Sequence, residues 1–386
     1  MEKSLEMGKF VAPEFIFGVG ARHLAGRHAK GLGCSKVLLV TDPGVTAAGW
    51  SGEVAQSLEE YGLQTAVFSS VSPNPRAKEV MAGTERYREE GCDGIVAVGG
   101  GSPMDCAKGI GIVAANGRHI LELEGSDRVE KPLPPLVCVP TTGGTGSEVS
   151  QFVIINNPDE GVKVTIVDRK AVPNVALVDP LTLTTKDPFL TACTGLDALT
   201  HAIEAYVAKA HSPVTDLHAL EAVRLISAHL IATVEAPKDV DRRAQVMLGS
   251  LHAGLAFSNA SLGAVHAMAH SLGGQLDLPH GACNAILLEH VVAFNWAACP
   301  ERFERIGEAI GIDMAGRDSA ARKTALIARL HALKTKAGID QTLGSLGVSR
   351  SEFARLGHKA LQDACMQANP RRATEQDLET IYEESI

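Results

Sequence analysis

Residues 95–111, IVAVGGGSPMDCAKGIG, set the architecture. Ile95–Val98 read as a buried strand, Gly99, Gly100 and Gly101 as a turn, and the residues that follow as a helix. Ser102 is a favourable N-cap, Pro103 suits the first helical position, and Asp105 completes an S-x-x-D capping pattern. Glycines let a phosphate approach the backbone closely, and a helix start offers free N–H groups and a positive dipole end. A diphosphate is the natural guest of such a turn. The spacing departs from the common dinucleotide fingerprint, because after Gly99 and Gly101 the third glycine position holds Met104. A tight strand-to-helix turn without a ligand is the other reading of this stretch by itself.

Working outward, KVLLVTD (36–42), QTAVFSSV (64–71) and LVCVPTT (136–142) are further short apolar strands, separated by helical stretches or loops. That alternation predicts a parallel sheet covered on both faces. VKVTIVD (162–168) and VALVDP (175–180) add two more strands. A second loop, PTTGGTGSEVS (140–150), also follows a strand and sets the hydroxyls of Thr141, Thr142 and Thr145 among glycines. Two such loops at carboxyl ends of strands in one sheet would face the same crevice. Asp42 either accepts hydrogen bonds from an adenosine ribose or serves a D-P-G turn. GVGARHLAG (18–26), which follows only the short FIF, reads as a plain turn.

After DPLTLTTKDP (179–188) strand signals vanish and Ala- and Leu-rich segments with a period near 3.6 take over. The expected division is an α/β dinucleotide-binding domain over 1–185 and an all-helical domain over 186–386. In the second part, Asp197 and His201 are four apart in GLDALTHAIEAY, and His266 and His270 share that spacing. Each pair lies on one helix face. Gly273 and Gly274 read as the end of the second helix, with Pro279-His280-Gly281 in a loop beyond. A carboxylate with neutral imidazoles suits Fe²⁺ or Zn²⁺. On spacing alone these side chains are equally readable as packing residues. His211, His218, His229, His252, His290 and His331 have no paired partners in the sequence and read as surface or core residues.

Composition bounds the partners. The 386 residues suffice for two cores, and 45% hydrophobic with 21% charged residues is ordinary for a soluble enzyme. A net charge of −9 without a basic block argues against nucleic-acid or anionic-membrane partners. MEKSLEMGKF reads as lacking a secretory signal, and no run of eighteen uninterrupted apolar residues predicts a spanning helix. The 8 cysteines are scattered without a C-x-x-C, as expected for free, mostly buried thiols in a reducing cytoplasm.

Taken in order, GGGSPMDCAKG, PTTGGTGSEVS, TGLDALTHAIEAY and FSNASLGAVHAMAHSLGG…PHG resemble the iron-containing (group III) alcohol dehydrogenase family over nearly the whole chain. The resemblance implies a Rossmann-like dinucleotide-binding domain followed by an all-α metal-binding domain, as in dehydroquinate synthase-like folds. It implies metal ligands at Asp197, His201, His266 and His280, with His270 as a non-ligand histidine near the nicotinamide. It places the dinucleotide on Asp42, Asn74, Gly100, Gly101, Ser102, Asp105, Thr141, Thr142, Thr145, Lys163 and Leu183, with Asp42 in the NAD-preferring form. The implied activity is reversible hydride transfer between NAD and a short primary alcohol or diol, assisted by Fe²⁺ or Zn²⁺, in a cytoplasmic homodimer or larger homo-oligomer. The wall facing the metal is expected to include Phe152 and Phe257. Zinc-dependent polyol dehydrogenases and a cyclising carbon–oxygen lyase share the frame. A catalytically idle scaffold is the reading from outside enzymology.

Overall fold

The computed structural model describes residues 9–276 and 278–386; the reading of residues 1–8 lies outside them. The first half carries β1 (Glu14–Phe17), β2 (Lys36–Val40), β3 (Gln64–Phe68), β4 (Gly94–Gly99) and β5 (Gly125–Ser126). It continues with β6 (Leu136–Pro140), β7 (Phe152–Asn157), β8 (Val162–Val167) and β9 (Val175–Val178). Its helices are α1 (Ala25–Gly31), α2 (Pro43–Ala47), α3 (Trp50–Glu60), α4 (Ala77–Glu89) and α5 (Gly101–Asn116).

Six strands form one parallel sheet in the order β1-β9-β6-β4-β2-β3. Strand side chains alternate between faces. Leu38, Val40, Ile95, Ala97, Leu136 and Cys138 enter a core shared with α4 and α5. Val37, Leu39, Val96, Val98, Val137 and Val139 enter the opposite core, with α1 and α3. Both faces are buried, so these strands are apolar throughout rather than alternating in the sequence. The chain goes from β2 outward to β3, then returns to β4 and continues to β6 and β9 the other way. The reversal lies between β2 and β4, and such a switch point opens a crevice at the carboxyl ends of the strands.

Three expectations of the first half are corrected. VKVTIVD does not join the main sheet: β8 pairs antiparallel with β7, and β5 flanks it in parallel. The hairpin turns at Pro158–Gly161, where Gly161 takes φ +60°, the left-handed region that suits glycine. Ser102 is not the cap of α5; Gly100 is, and the helix begins at Gly101. Asp105 is therefore no capping-box partner. Its buried carboxylate accepts the Ser147 Oγ–H at 2.5 Å and the Ile154 N–H at 3.2 Å, tying α5 to the threonine loop and to β7.

The second half holds α6 (Pro188–Val207), α7 (Pro213–Glu235), α8 (Val240–Ala260), α9 (Ala264–Leu276) and α10 (His280–Asn295). It ends with α11 (Pro300–Ala309), α12 (Ser319–Lys336), α13 (Phe353–Gln362) and α14 (Glu375–Glu384). α6 starts on Asp187, which accepts from Leu190 N, followed by Pro188. α7 is long and apolar enough to cross a bilayer by composition, but it packs against both α6 and α8 as a bundle helix. A small core of Val149, Ala176, Val178, Leu183, Met247, Leu251 and Leu255 joins the sheet to α8.

Here too the sequence reading needs correction. α9 runs through Gly273 and Gly274 instead of ending there. A Cβ on Gly274 would lie 3.0 Å from Lys163 N, and one on Gly273 3.0 Å from Lys163 Cε. The glycine pair lets the helix lie directly on β8. His280 is not in a loop but opens α10, with Pro279 as its cap.

Candidate metal and dinucleotide site

α6 presents Asp197 and His201 one turn apart, α9 presents His266, and α10 presents His280 from its first position. A ligand atom from each of Asp197, His201 and His266 lies within 4.8 Å of the other two. Asp197 Oδ1 is 3.6 Å from His266 Nε2 and 3.8 Å from His280 Nε2. The four side chains border one cavity of about 180 Å³.

The outer hydrogen bonds fix which ring nitrogen faces inward. His266 Nδ1–H donates to Glu204 Oε2 at 2.6 Å, and His201 Nδ1–H donates to Gly144 O at 3.2 Å. Each bond turns Nε2 inward, where in the deprotonated ring it can ligate a cation, the usual arrangement of metal-binding imidazoles. Glu204 is anchored by a second bond, from Val265 N at 2.7 Å. Burial opposes charge on every member. It drops His201 to about 3 and holds His280 well below its usual value. His266 goes the other way, up to about 9, because Asp197 and Glu204 flank it and outweigh burial. Burial would also raise Asp197, yet the three imidazoles pull it below the usual carboxylate range. With His201 and His280 neutral, the two buried carboxylates outnumber the one ring they favour charging, and the net negative site is costly unless a cation offsets it. The donor set fits a divalent metal.

His270 lies on the same face of α9 as His266 and lines the cavity. Its Nδ1–H donates to Asp363 Oδ2 at 2.9 Å, leaving Nε2 as its exchangeable position. The other oxygen of Asp363 accepts from Cys365 N at 2.8 Å. Burial pushes this carboxyl up, but the His270 ring and the Cys365 N–H outweigh it and bring it down to about 2.

The glycine and threonine loops leave adjacent strands, with Gly99 paired to Pro140. A Cβ on Gly100 would lie 3.0 Å from Thr142 Cγ2, and one on Gly101 2.9 Å from Thr145 Cγ2. The two loops thus form a close-packed floor with the α5 N–H groups beside it. Thr141 is buried, and its Oγ1 has no hydrogen-bond partner among the described residues. A buried orphan hydroxyl in such a floor fits a polar ligand. Asn74, Gly101, Ser102, Asp105, Thr145 and Lys163 line the cavity, with Lys163 Nζ 3.0 Å from Asn74 Oδ1. Asp42, Gly100, Thr141, Thr142 and Leu183 do not line it. They lie farther along the carboxyl edge, where Asp42 caps α2 by accepting from Val45 N at 2.8 Å and Leu183 backs Gly143.

Phe152, Ile154, Phe257 and Leu262 form the apolar wall, two of them expected. Sequence reading missed Glu204, Asn284, Asp363 and Lys108. Glu204 follows His201 by three and Asn284 follows His280 by four, so helical spacing held a signal; Asp363 had none. Lys108, fully buried, donates from Nζ to Ser150 O and Phe152 O, holding the threonine loop to β7. The other histidines do not line the cavity, though several have partners that the sequence does not show. His218 Nδ1 meets His252 Nδ1 at 2.8 Å, His211 sits 3.4 Å from Asp216, and His290 and His331 flank Glu289. All cysteines are free, and only Cys299 is not fully buried.

The model of the iron-containing alcohol dehydrogenase matches residues 12–180, and that of the Fe-containing alcohol dehydrogenase family C-terminal region matches 191–386. The chain is 40% identical over 377 residues to an NAD-dependent methanol dehydrogenase of Bacillus methanolicus, covering 98% of this chain and 99% of that one. It is 41% identical to a 1,3-propanediol dehydrogenase of Klebsiella pneumoniae, covering 99% and 100%. A crystal structure of 1,3-propanediol oxidoreductase superposes with a TM-score of 0.96 at 41% identity, covering 99% and 100%. The chain belongs to the iron-containing alcohol dehydrogenase family.

Proposed function

We propose that this protein is a metal-dependent, NAD(H)-linked alcohol dehydrogenase and aldehyde reductase acting on short primary alcohols or diols. The reading rests on the convergence of Asp197, His201, His266 and His280 on a cavity shared with the glycine and threonine loops. Asp197 and the three imidazoles would hold Fe²⁺, with Zn²⁺ competing for the same ligands. Such a cation supplies a Lewis acid that lowers the pKa of an alcohol. The loops and the α5 start would hold the diphosphate, and the nicotinamide would accept hydride from the alcohol carbon.

The chain's own residues divide the remaining work. Phe152, Ile154, Phe257 and Leu262 exclude water and seat a short carbon chain. His270 Nε2 takes the alcohol proton toward solvent, while Asp363 fixes the ring's orientation and tautomer. Asp363→Asn is expected to lower kcat about tenfold with little change in KM, since a neutral amide has one acceptor oxygen for the two donors, His270 Nδ1–H and Cys365 N–H, and no charge to stabilise a protonated ring. An unchanged kcat would remove Asp363 from the proton path.

The lysine count of the cavity argues against the cyclising lyase. Among the described lining residues Lys163 is the sole Lys or Arg, too little for a phosphorylated substrate. Asp42 favours NAD by repelling a 2′-phosphate. Removing a repulsion of about 1–2 kcal/mol with Asp42→Gly is expected to raise kcat/KM for NADP about tenfold. Steady-state kinetics with both cofactors checks this. A screen of short alcohols, diols and aldehydes on metal-analysed protein tests the whole reading; no NADH change with metal supplied would restore the idle-scaffold alternative. The free thiols fit a reducing cytoplasm. Light scattering tests the proposed dimer or larger homo-oligomer.

A further inference from the structure

We propose that Asn284 is a positioning residue of the metal centre, holding the Asp197 carboxylate in its ligating orientation and thereby setting cation affinity. The proposal rests on the metal reading above. α10 carries His280 at its first position and Asn284 one turn later, so both lie on the face toward α6 and α9. Asn284 Nδ2 donates to Asp197 Oδ1 at 2.6 Å and lies 3.1 Å from His266 Nε2 and 3.2 Å from His280 Nε2. One amide nitrogen thus touches three of the four side chains assigned to the cation.

The rest of the residue points the same way. Asn284 is fully buried, and its Oδ1 has no partner among the described residues. Leaving a buried acceptor unpaired costs about 1–3 kcal/mol, so an asparagine serving the fold alone would be expected to satisfy both ends. Only the N–H end is used, and its shortest bond is to Asp197. The amide's orientation follows from chemistry, since the reverse would set two oxygens against each other at this distance. Oδ1 is also the Asp197 atom that faces His266 and His280. A short, charge-assisted bond to it stops the carboxylate from rotating away from the imidazoles. The amide does this without adding charge, whereas an aspartate there would place a second carboxylate against the first.

The test is Co²⁺ affinity by chelator competition, with the Co²⁺ visible spectrum, on metal-depleted full-length wild type, Asn284→Ala and Asn284→Ser. Circular dichroism checks the fold. Serine keeps a polar group but is too short to reach Asp197, so it decides the matter should the alanine variant not fold. The expected result is Co²⁺ binding about 10–100-fold weaker, with an altered spectrum, in a folded protein. Wild-type affinity and spectrum in both variants would overturn the role of Asn284 and leave the metal reading standing. A wild-type protein that takes up no Co²⁺ would overturn both.

Discussion

His266→Ala is expected to lower kcat/KM by about 10³–10⁴-fold and to yield protein that holds no divalent metal after purification. His266 is where the site's charges meet: Nδ1 is bonded to Glu204 and Nε2 faces Asp197. Alanine removes one of the four proposed ligands and leaves Glu204 buried with the Val265 N–H as its remaining hydrogen bond among the described residues. Lewis-acid activation of a substrate oxygen is worth several kcal/mol, and each 1.36 kcal/mol is about tenfold in rate. Metal analysis and kinetics on the same preparation check both halves of the expectation. Turnover near the wild-type rate in a metal-free variant would separate the chemistry from the cation. His266→Ala is therefore more diagnostic than a substitution at His270, which leaves the four proposed ligands in place.

Much of this centre is visible in the sequence because its determinants are local. The pairs Asp197–His201 and His266–His270 follow from helical periodicity, which needs no tertiary information. The glycine and threonine loops are likewise marked by strand ends and by residues that only a turn tolerates. The missing parts depend on contacts between distant segments. Asp363 reaches His270 from 93 positions away, and nothing in ALQDACMQANP signals an acceptor for an imidazole. The helix through Gly273 and Gly274 misleads for the same reason: glycine commonly ends a helix, but here it is required by the close approach of β8. The β7–β8 hairpin was missed because β8 is apolar enough to pass for another strand of the main sheet, and nothing in its own residues sets the direction of its partner.

Gly281 shows how a residue without a side chain can control the same centre. It follows His280 in the first turn of α10, and a Cβ there would lie 2.5 Å from Cys193 O and 2.9 Å from Cys193 C. Both are backbone atoms of α6, one turn before Asp197, so no rotamer change relieves the overlap. Real Cβ contacts stay above 3.0 Å, and Gly281→Ala must therefore separate the two helices. The displacement falls on the turn that carries His280 and, one turn later, Asn284. Misplacement of this kind by about 1 Å costs on the order of 10²-fold in rate, and the overpacking is expected to cost about 1–3 kcal/mol in stability. Weaker Co²⁺ binding should accompany both. Gly52→Ala supplies the contrast: in α3 its Cβ would meet nothing within 4 Å. There the exchange should gain about 0.5–1 kcal/mol and leave activity alone. Should Gly281→Ala bind Co²⁺ as tightly as wild type, α10 must be able to shift along α6 without moving His280. The spacing of the two helices would then not control the metal centre.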